Sequence, residues 1–412
     1  MSVIVQKYGG SSLDGIDKIK KVASLVAGVK EAGHQVAVVV SAMGETTDAL
    51  IESVNKLSSD PPGREMDMLL STGERISMSL LCIALGELGV KAVSLTGSQA
   101  GIITNDRHTD ARVMEIRPFR IQDELESGNV VVIGGFQGVS YKRDITTLGR
   151  GGSDTSAVSL AAALNAERCE IYSDIDGVYS ADPSLIKDAK HLPEISYQQM
   201  QEMSMAGAKV LNAQAVQFAK EARITIYARS TFNPGKETIV RMLQPEPQNG
   251  VKAVVYENDV IKVSIKLDPG EDIQTLLDFL EQFQVPIKEL NYTAPEEGIS
   301  KISFVLSAKN IIGWNKRKNE LSNKYNNKIL FIEKLSAISL IGEGLTRDNT
   351  ILQTALQLLT DFNIKYYGIT TTSFRISLLI EQAQLIQCIN LFHNKWITEG
   401  TSKEEKNNSQ IE

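Results

Sequence analysis

The sequence predicts an α/β protein: a mostly parallel sheet sandwiched by helices, followed by two small α+β modules. Three observations predict it. Over residues 1–245 short apolar runs alternate with stretches of helical periodicity, the pattern of a parallel sheet covered on both faces. A linker, Gln244-Pro245-Glu246-Pro247-Gln248-Asn249-Gly250, then marks a change of pattern. Beyond it, Gln274-Thr275, Leu280 and Phe283 recur as Gln353-Thr354, Leu359 and Phe362 at one offset of 79 residues, an internal duplication.

Taken in order, Val3 to Tyr8 reads as a buried strand, and Gly9-Gly10-Ser11-Ser12 turns the chain into a helix on which Ile16, Ile19, Val22, Ala23 and Val26 keep helical spacing. Gln35 to Val40 is a second strand, ending in Ser41-Ala42-Met43-Gly44, after which Thr46-Thr47-Asp48 starts a helix that Pro61-Pro62-Gly63 breaks. A long helix is predicted over Glu65 to Leu88, with Gly73 in its middle. Ala92 to Leu95 is a third strand, and Thr96 to Asp110 reads as polar loop. Val130 to Ile133 is another strand, and an Ala-rich helix is predicted from about Ser156 to Asn165. Cys169 to Tyr179 reads as a strand running into an acidic Asp-Gly turn; a helix follows over Ser196 to Met205. Gly207 opens a further helix to about Ala222, and Ile224 to Ser230 is a strand. Each duplicated module reads strand, helix, strand, strand, helix, strand. Such modules expose a sheet edge that a second copy can cover.

Two glycine turns carry the chemistry. The stretch Thr147-Leu148-Gly149-Arg150-Gly151-Gly152-Ser153-Asp154 lets backbone approach a ligand closely and places Ser153 and Asp154 as N-cap candidates. Arg150 adds a permanently charged fork suited to a carboxylate or phosphate. Lys7 stands at a strand end beside Gly9 and Gly10, on the edge where open α/β sheets bind ligands. Taken singly, each stretch is more often an ordinary strand-to-helix turn with a solvated cation. The lysine precedes its glycines, so this is neither a Walker loop nor a dinucleotide fingerprint. Acidic residues at Asp174 and Asp176 would suit Mg²⁺ held through water, or a plain Asp-Gly turn.

The net charge of −7 argues against nucleic acid or an anionic membrane as the main partner. Cys82, Cys169 and Cys388 form no CxxC and no framework, and the opening residues lack a signal-peptide core, so a cytoplasmic location is expected. No apolar run reaches the roughly 18–20 residues of a membrane span. The four histidines are isolated, and no metal-ligand cluster is predicted.

At Lys7-Tyr8-Gly9-Gly10-Ser11-Ser12 the chain resembles the aspartate kinases of the amino acid kinase superfamily. Further matching motifs follow in family order: Val40 to Gly44, Arg64 to Asp67, Leu70 to Glu74, Gly97 to Gly101, Gly134 to Gly138, Leu148 to Thr155, Tyr172 to Tyr179, and Gly207 to Leu211. The duplicated modules resemble that family's paired ACT domains. The resemblance implies ATP-dependent phosphorylation of the β-carboxylate of L-aspartate to 4-phospho-L-aspartate, the entry to lysine, threonine and methionine biosynthesis. It implies Lys7, Arg150 and Asp154 as catalytic residues. Around ATP it implies Lys7, Gly9, Gly10, Ser11, Ser41, Ser173, Asp174, Tyr179, Asp182, Lys209 and Val210. Around aspartate it implies Thr47, Glu74, Arg150, Gly151, Gly152 and Ser153. Mg²⁺ would ride on the ATP phosphates with no dedicated protein ligands. A homodimer through the ACT modules and an amino-acid effector there are also implied. The expected divisions are a kinase domain over 1–245, modules over 251–325 and 330–400, and a tail over 401–412.

The catalytic half departs little from the family pattern: serine stands for threonine at positions 11 and 173. The modules depart more. Asp268-Pro269-Gly270 is followed by Glu271-Asp272, charges that would repel an effector carboxylate at a helix start. Val285-Pro286-Ile287-Lys288-Glu289-Leu290-Asn291-Tyr292 lacks the family's polar Asn, Asp and Gln, and Arg347-Asp348-Asn349-Thr350 lacks its Pro-Gly. Weakened feedback control is the expectation. Two alternatives stay open on the sequence: another amino acid kinase acting on glutamate or acetylglutamate, and a catalytically silent ACT-based sensor.

Overall fold

The structure, a computed structural model, describes residues 2–149, 151–243, 250–268, 271–283, 285–294, 300–311 and 313–399. The chain forms two compact units. The first holds Met1–Val178, His191–Met205 and Lys209–Pro245; the second holds Tyr179–Lys190, Ala206–Ala208 and Glu246–Glu412.

In the first unit β1 (Val3–Tyr8), α1 (Ile16–Glu31), β2 (Gln35–Val40) and α2 (Thr46–Leu57) lie where the periodicity places them. The long helix expected over Glu65 to Leu88 is two helices, α3 (Gly63–Leu70) and α4 (Thr72–Glu87), joined at Ser71. By length and composition alone, Gly63–Glu87 is apolar enough to cross a membrane. Met66, Leu70, Met78, Leu81 and Leu85 on this stretch are buried in the unit, whereas Met68, Ile76 and Ile83 are exposed.

After β3 (Ala92–Leu95) the sequence reading fails for some fifty residues. The stretch read as loop contains β4 (Ile102–Thr104), and β5 (Val113–Ile116) and α5 (Phe119–Glu126) follow unpredicted. Beyond β6 (Val130–Gly134) come β7 (Gln137–Ser140) and β8 (Ile145–Thr147), which with β4 and β5 make a four-stranded sheet in the order β5-β4-β7-β8. These strands have three or four residues each, too short for alternation to show. Of these, β7 and β8 stand between β6 and the glycine turn at Gly149, which therefore follows β8 and not the apolar strand β6.

The helix after that loop, α6 (Gly152–Ala163), starts four residues before the expected Ser156. Ser153 and Asp154 thus occupy its first turn and are not its N-cap, which is Gly151 in the left-handed region (φ 73°). β9 (Arg168–Ser173) ends at Ser173; β10 (Val178–Tyr179) and β11 (His191–Leu192) bracket a segment that packs in the second unit. β12 (Glu194–Ser196) and α7 (Tyr197–Met205) follow. α8 (Ala213–Ala222) begins six residues later than Gly207, so Lys209 and Val210 stand on a loop. β13 (Ile226–Ser230) is followed by β14 (Glu237–Arg241), a strand that the sequence reading does not assign.

The main sheet has the order β12-β14-β13-β9-β1-β2-β6-β3. All its pairings are parallel except β13 with β14. Residues Val36 to Val40 and Val130 to Ile133 are fully buried, as the middle of a two-sided sheet requires. On one face, Ile19, Val22 and Val26 of α1 pack with Leu81 and Leu85 of α4 and with Tyr8. Side chains alternate along a strand. Tyr8 in that core therefore sends Lys7 to the opposite face, that of α6.

The second unit holds β15 (Gly250–Leu267), α9 (Ile273–Gln282), β16 (Lys288–Thr293), β17 (Ser300–Ser307), α10 (Trp314–Tyr325), β18 (Ile329–Glu343), α11 (Thr350–Asp361), β19 (Tyr366–Thr371), β20 (Arg375–Glu381) and α12 (Leu385–His393), and its six strands form one antiparallel sheet, β16-β17-β15-β18-β20-β19. The pairing adds what the duplication does not show. Gly250 to Asn258 pair with Glu343 to Ser336, whereas Lys262 to Ile265 pair with Ile332 to Ile329 and also with β17. The first module is thus inserted into the second, with β15 and β18 running through both.

Two helix-covered cores follow, one around Phe304, Leu276 and Leu321, the other around Ile338, Leu359 and Phe392. Residues 179–190 join the latter through Ala181 and Ile186. Ser180 accepts the Val254 amide at its carbonyl (2.7 Å), and its Oγ lies 3.0 Å from His393 Nε2. Gly207 (φ 113°) also belongs here: a Cβ there would lie 2.3 Å from the Tyr256 carbonyl. Gln244 to Asn249, Pro269-Gly270 and the 401–412 tail lie outside the described residues.

Candidate active site

The site forms where the C-terminal ends of β9, β1, β2 and β6 lie side by side. Gly9 donates its amide to the Tyr172 carbonyl (3.1 Å), and the Gly44 amide bonds the Gly10 carbonyl (3.0 Å), so the turn after β1 is tied to both neighbours. At Gly10 a Cβ would lie 2.9 Å from the carbonyl oxygens of both Ala42 and Gly44; only glycine fits between them. At Gly9 a Cβ would lie 3.6 Å from Lys7 Nζ. Bare backbone there leaves room beside the ammonium.

Lys7 Nζ meets Asp154 Oδ1 at 2.7 Å, and both side chains are about nine-tenths buried. This pair, whose members are 147 positions apart in the chain, joins the two glycine turns. The other Asp154 oxygen accepts the Asn212 amide (3.2 Å). A carboxylate sheltered this way needs both partners, because an unpaired buried charge is costly. Beside it, Ser153 Oγ accepts from Ser41 Oγ at 3.0 Å, linking α6 to the end of β2.

The next residue along, Ala42, donates its amide to Glu74 Oε1 (3.1 Å). Glu74 sits in the first turn of α4, where Gly73 permits close packing: a Cβ on Gly73 would lie 2.6 Å from Ala42 Cβ. Glu74 is 2% exposed, and its Oε2 has no hydrogen-bond partner among the described residues. Burial raises its carboxyl to about 7, against the lowering effect of the backbone hydrogen bonds. A buried acceptor left open in this way is suited to an incoming cation.

Contacts therefore run without a gap from Lys7 through Asp154, Ser153, Ser41 and Ala42 to Glu74. Thr47 lies half-buried in the first turn of α2, just beyond. Gly152, the first residue of α6, is packed so closely that a Cβ would lie 2.7 Å from Leu148 Cβ. Arg150 lies outside the described residues; its neighbours Gly149 (φ 72°) and Gly151 (φ 73°) are both left-handed. Ser11 is half-buried in the turn after β1, and its carbonyl accepts Lys18 Nζ (2.9 Å).

Ser173 and exposed Asp174 stand at the end of β9. Ser173 Oγ closes a local turn with the Ile175 amide (3.1 Å), and its carbonyl receives the Thr231 amide (2.9 Å). Lys209 is exposed and Val210 half-buried on the loop that leads to Asn212. Tyr179 and Asp182 belong to the second unit. There Asp182 Oδ1 accepts from the Ser184 amide and hydroxyl, and Oδ2 from the Tyr256 hydroxyl (3.1 Å).

Two residues have structural roles that the sequence reading does not assign. Asp67, fully buried, accepts from Thr147 Oγ1 (2.6 Å) and the Thr109 amide (3.0 Å) and pairs with His108 Nδ1 (2.6 Å), fixing the strand end before Leu148. Burial raises its carboxyl even so. The signal was an aspartate on an otherwise apolar helix face with Met66 and Leu70. The other is Asn212, for which the sequence offers only a capping residue before a helix.

Residues 2–230 match the amino acid kinase family. The chain is 36% identical over 410 residues to an aspartokinase of Corynebacterium glutamicum, with 96% of each chain covered. To an aspartokinase of Mycolicibacterium smegmatis it is 38% identical over 402 residues, covering 95% of this chain and 96% of that one. Among solved structures, E. coli aspartokinase III in complex with aspartate and ADP superposes with a TM-score of 0.80 at 22% identity, over 95% of this chain and 99% of that one, which shows the shared fold.

Proposed function

From the premise that this chain belongs to the amino acid kinase family, and within it to the aspartokinases, we propose how its residues carry the reaction. The enzyme phosphorylates the β-carboxylate of L-aspartate with ATP, giving 4-phospho-L-aspartate and ADP. A carboxylate with an ordinary pKa near 3.9 is already ionised at neutral pH. No general base is required: the carboxylate oxygen forms the new bond to the γ-phosphorus as the β,γ-bridging oxygen leaves with ADP. What the protein must supply is positioning and neutralisation of two converging anions.

Lys7 supplies the charge at the transferring phosphoryl, with amide donors from Gly9, Gly10 and Ser11. Asp154 holds Lys7 in place and keeps its ammonium aimed. Lys209 and Val210 line the phosphates from the loop before α8, and Ser41, Ser173 and Asp174 stand on the nucleotide's side. Glu74 takes the aspartate ammonium on its open Oε2, and Thr47 adds a polar contact. Arg150 clamps a substrate carboxylate, with Gly151, Gly152 and Ser153 beside it. Among the described residues no group of three His, Cys, Asp or Glu could hold a metal ion. Mg²⁺ bound with ATP would neutralise phosphate charge, and the phosphates would be its main ligands.

The observation that carries this reading is the Lys7–Asp154 pair, which brings both glycine turns to one site. The test is hydroxylamine trapping with ATP, Mg²⁺ and either aspartate or glutamate. Hydroxamate from aspartate alone supports it, and hydroxamate from glutamate at an equal rate contradicts it.

Feedback control by lysine or threonine is expected to be weak. In the first module Asp272 already caps α9 by accepting the Gln274 amide (3.1 Å), occupying a donor that an effector carboxylate would use. Lys288 is committed to Glu257 (2.6 Å). In a coupled assay, millimolar lysine plus threonine should leave at least half the activity; complete inhibition would refute the expectation. A homodimer through the modules is proposed as well, because edge strand β16 exposes Leu290 and Tyr292, and edge strand β19 exposes Tyr366 and Ile369. A solution mass equal to one 45.2 kDa chain would contradict it.

A further inference from the structure

We infer that Asn212 is a positioning residue for phosphoryl transfer, fixing the aim of the Lys7–Asp154 pair from the start of α8. The inference rests on the reading of that pair as the phosphate site.

Asn212 performs three tasks at once. Its Oδ1 caps α8, accepting from the Gln214 amide (2.8 Å) and the Ala215 amide (3.2 Å). The same oxygen lies 3.5 Å from Thr155 Oγ1 on α6. Its backbone amide donates to Asp154 Oδ2 (3.2 Å). Its Nδ2 occupies the hollow over left-handed Gly151, where a Cβ would lie 2.4 Å away.

The chain reaches Asn212 from an irregular loop, and the residue's carbonyl accepts the Val216 amide of α8 (3.1 Å). The side-chain bonds to α8 and the fit over Gly151 add to that anchor and fix the direction of the backbone amide. With one Asp154 oxygen pinned by the amide, the other is directed at Lys7 Nζ, 2.7 Å away. A carboxylate free to rotate would carry the ammonium with it. Small displacements of a charged group at a transferring phosphoryl lower the rate of the chemical step. The effect therefore falls on kcat, because ground-state binding of ATP and aspartate has many other contacts.

Two substitutions separate this role from helix capping. Glycine caps a helix almost as well as asparagine, but it gives the backbone at 212 freedom and empties the hollow at Gly151. Asn212→Gly should therefore melt within a few degrees of the parent, yet lose about tenfold or more in kcat, with KM for ATP and for aspartate within about threefold. Asn212→Ser retains a capping oxygen that holds the backbone, and should recover kcat to within about threefold of the parent. A kcat for Asn212→Gly within threefold of the parent would overturn the inference, as would a serine variant no faster than the glycine one. A full rate in Lys7→Ala would instead remove the phosphate-site reading on which the inference stands.

Discussion

Replacing Lys7 with alanine is expected to lower kcat by about 10³–10⁵, the range seen when one cation is removed from a transferring phosphoryl group. Two effects combine. The transition state loses a positive charge, and Asp154, whose side chain is about nine-tenths buried, is left facing the phosphates without its 2.7 Å counter-ion. The second effect makes the double variant informative. In Lys7→Ala/Asp154→Asn no stray carboxylate remains, so kcat should fall no further than in Lys7→Ala alone, within about threefold. Asp154→Asn alone should cost about tenfold or more, through a lysine no longer held in place. Steady-state rates under saturating ATP and aspartate measure all three. Losses that simply multiply would show that the two residues act independently, contrary to the geometry.

Glu74→Gln is expected to raise KM for aspartate about a hundredfold at pH 8 and to leave kcat within a few-fold. Removing one partner of a buried charge pair costs about 2–5 kcal/mol, and a hundredfold lies within that range. The pH dependence follows from burial. In the free enzyme Glu74 is raised to about 7, so below that pH it is mostly protonated and must release a proton to receive the substrate ammonium. Hence kcat/KM for aspartate should fall about tenfold per pH unit below 7 and level off above it. In Glu74→Gln this limb should vanish between pH 6 and 8.

Folding stability depends on this carboxyl in the opposite sense. Between about 4.5 and 7 the folded chain holds a proton at Glu74 that the unfolded chain has lost. The contribution of this group to stability therefore declines as pH rises through that window. An unchanged pH limb in the glutamine variant would exclude Glu74 as its source.

Much of the site was legible because its parts are local. Lys7 with Gly9 and Gly10, and Gly151 with Gly152 and Asp154, are short stretches whose backbone needs are written in residue type. The central sheet was legible for the same reason: the runs Val36 to Val40 and Val130 to Ile133 are apolar throughout because both faces are covered. What escaped depends on distant partners. Strands of three or four residues, such as Ile145–Thr147, have no period to detect and are held by neighbours across a sheet. Helix starts were misplaced where a left-handed glycine did the capping, as at Gly151, or where the capping residue was passed over, as at Asn212. The run of β15 and β18 through both modules is set by pairings 64–93 residues apart, which a repeat signal does not encode. Asp67 looks like a helix residue until Thr147 and His108 are brought to it.

That one cleft serves both substrates is tested most directly by a crystal structure of the enzyme with ADP, Mg²⁺ and aspartate. Lys7 Nζ should lie within hydrogen-bond reach of a phosphate oxygen, with the aspartate ammonium on Glu74 Oε2 in the same cleft. Nucleotide bound away from the Gly9-Gly10 turn, or aspartate bound away from Glu74, would contradict it.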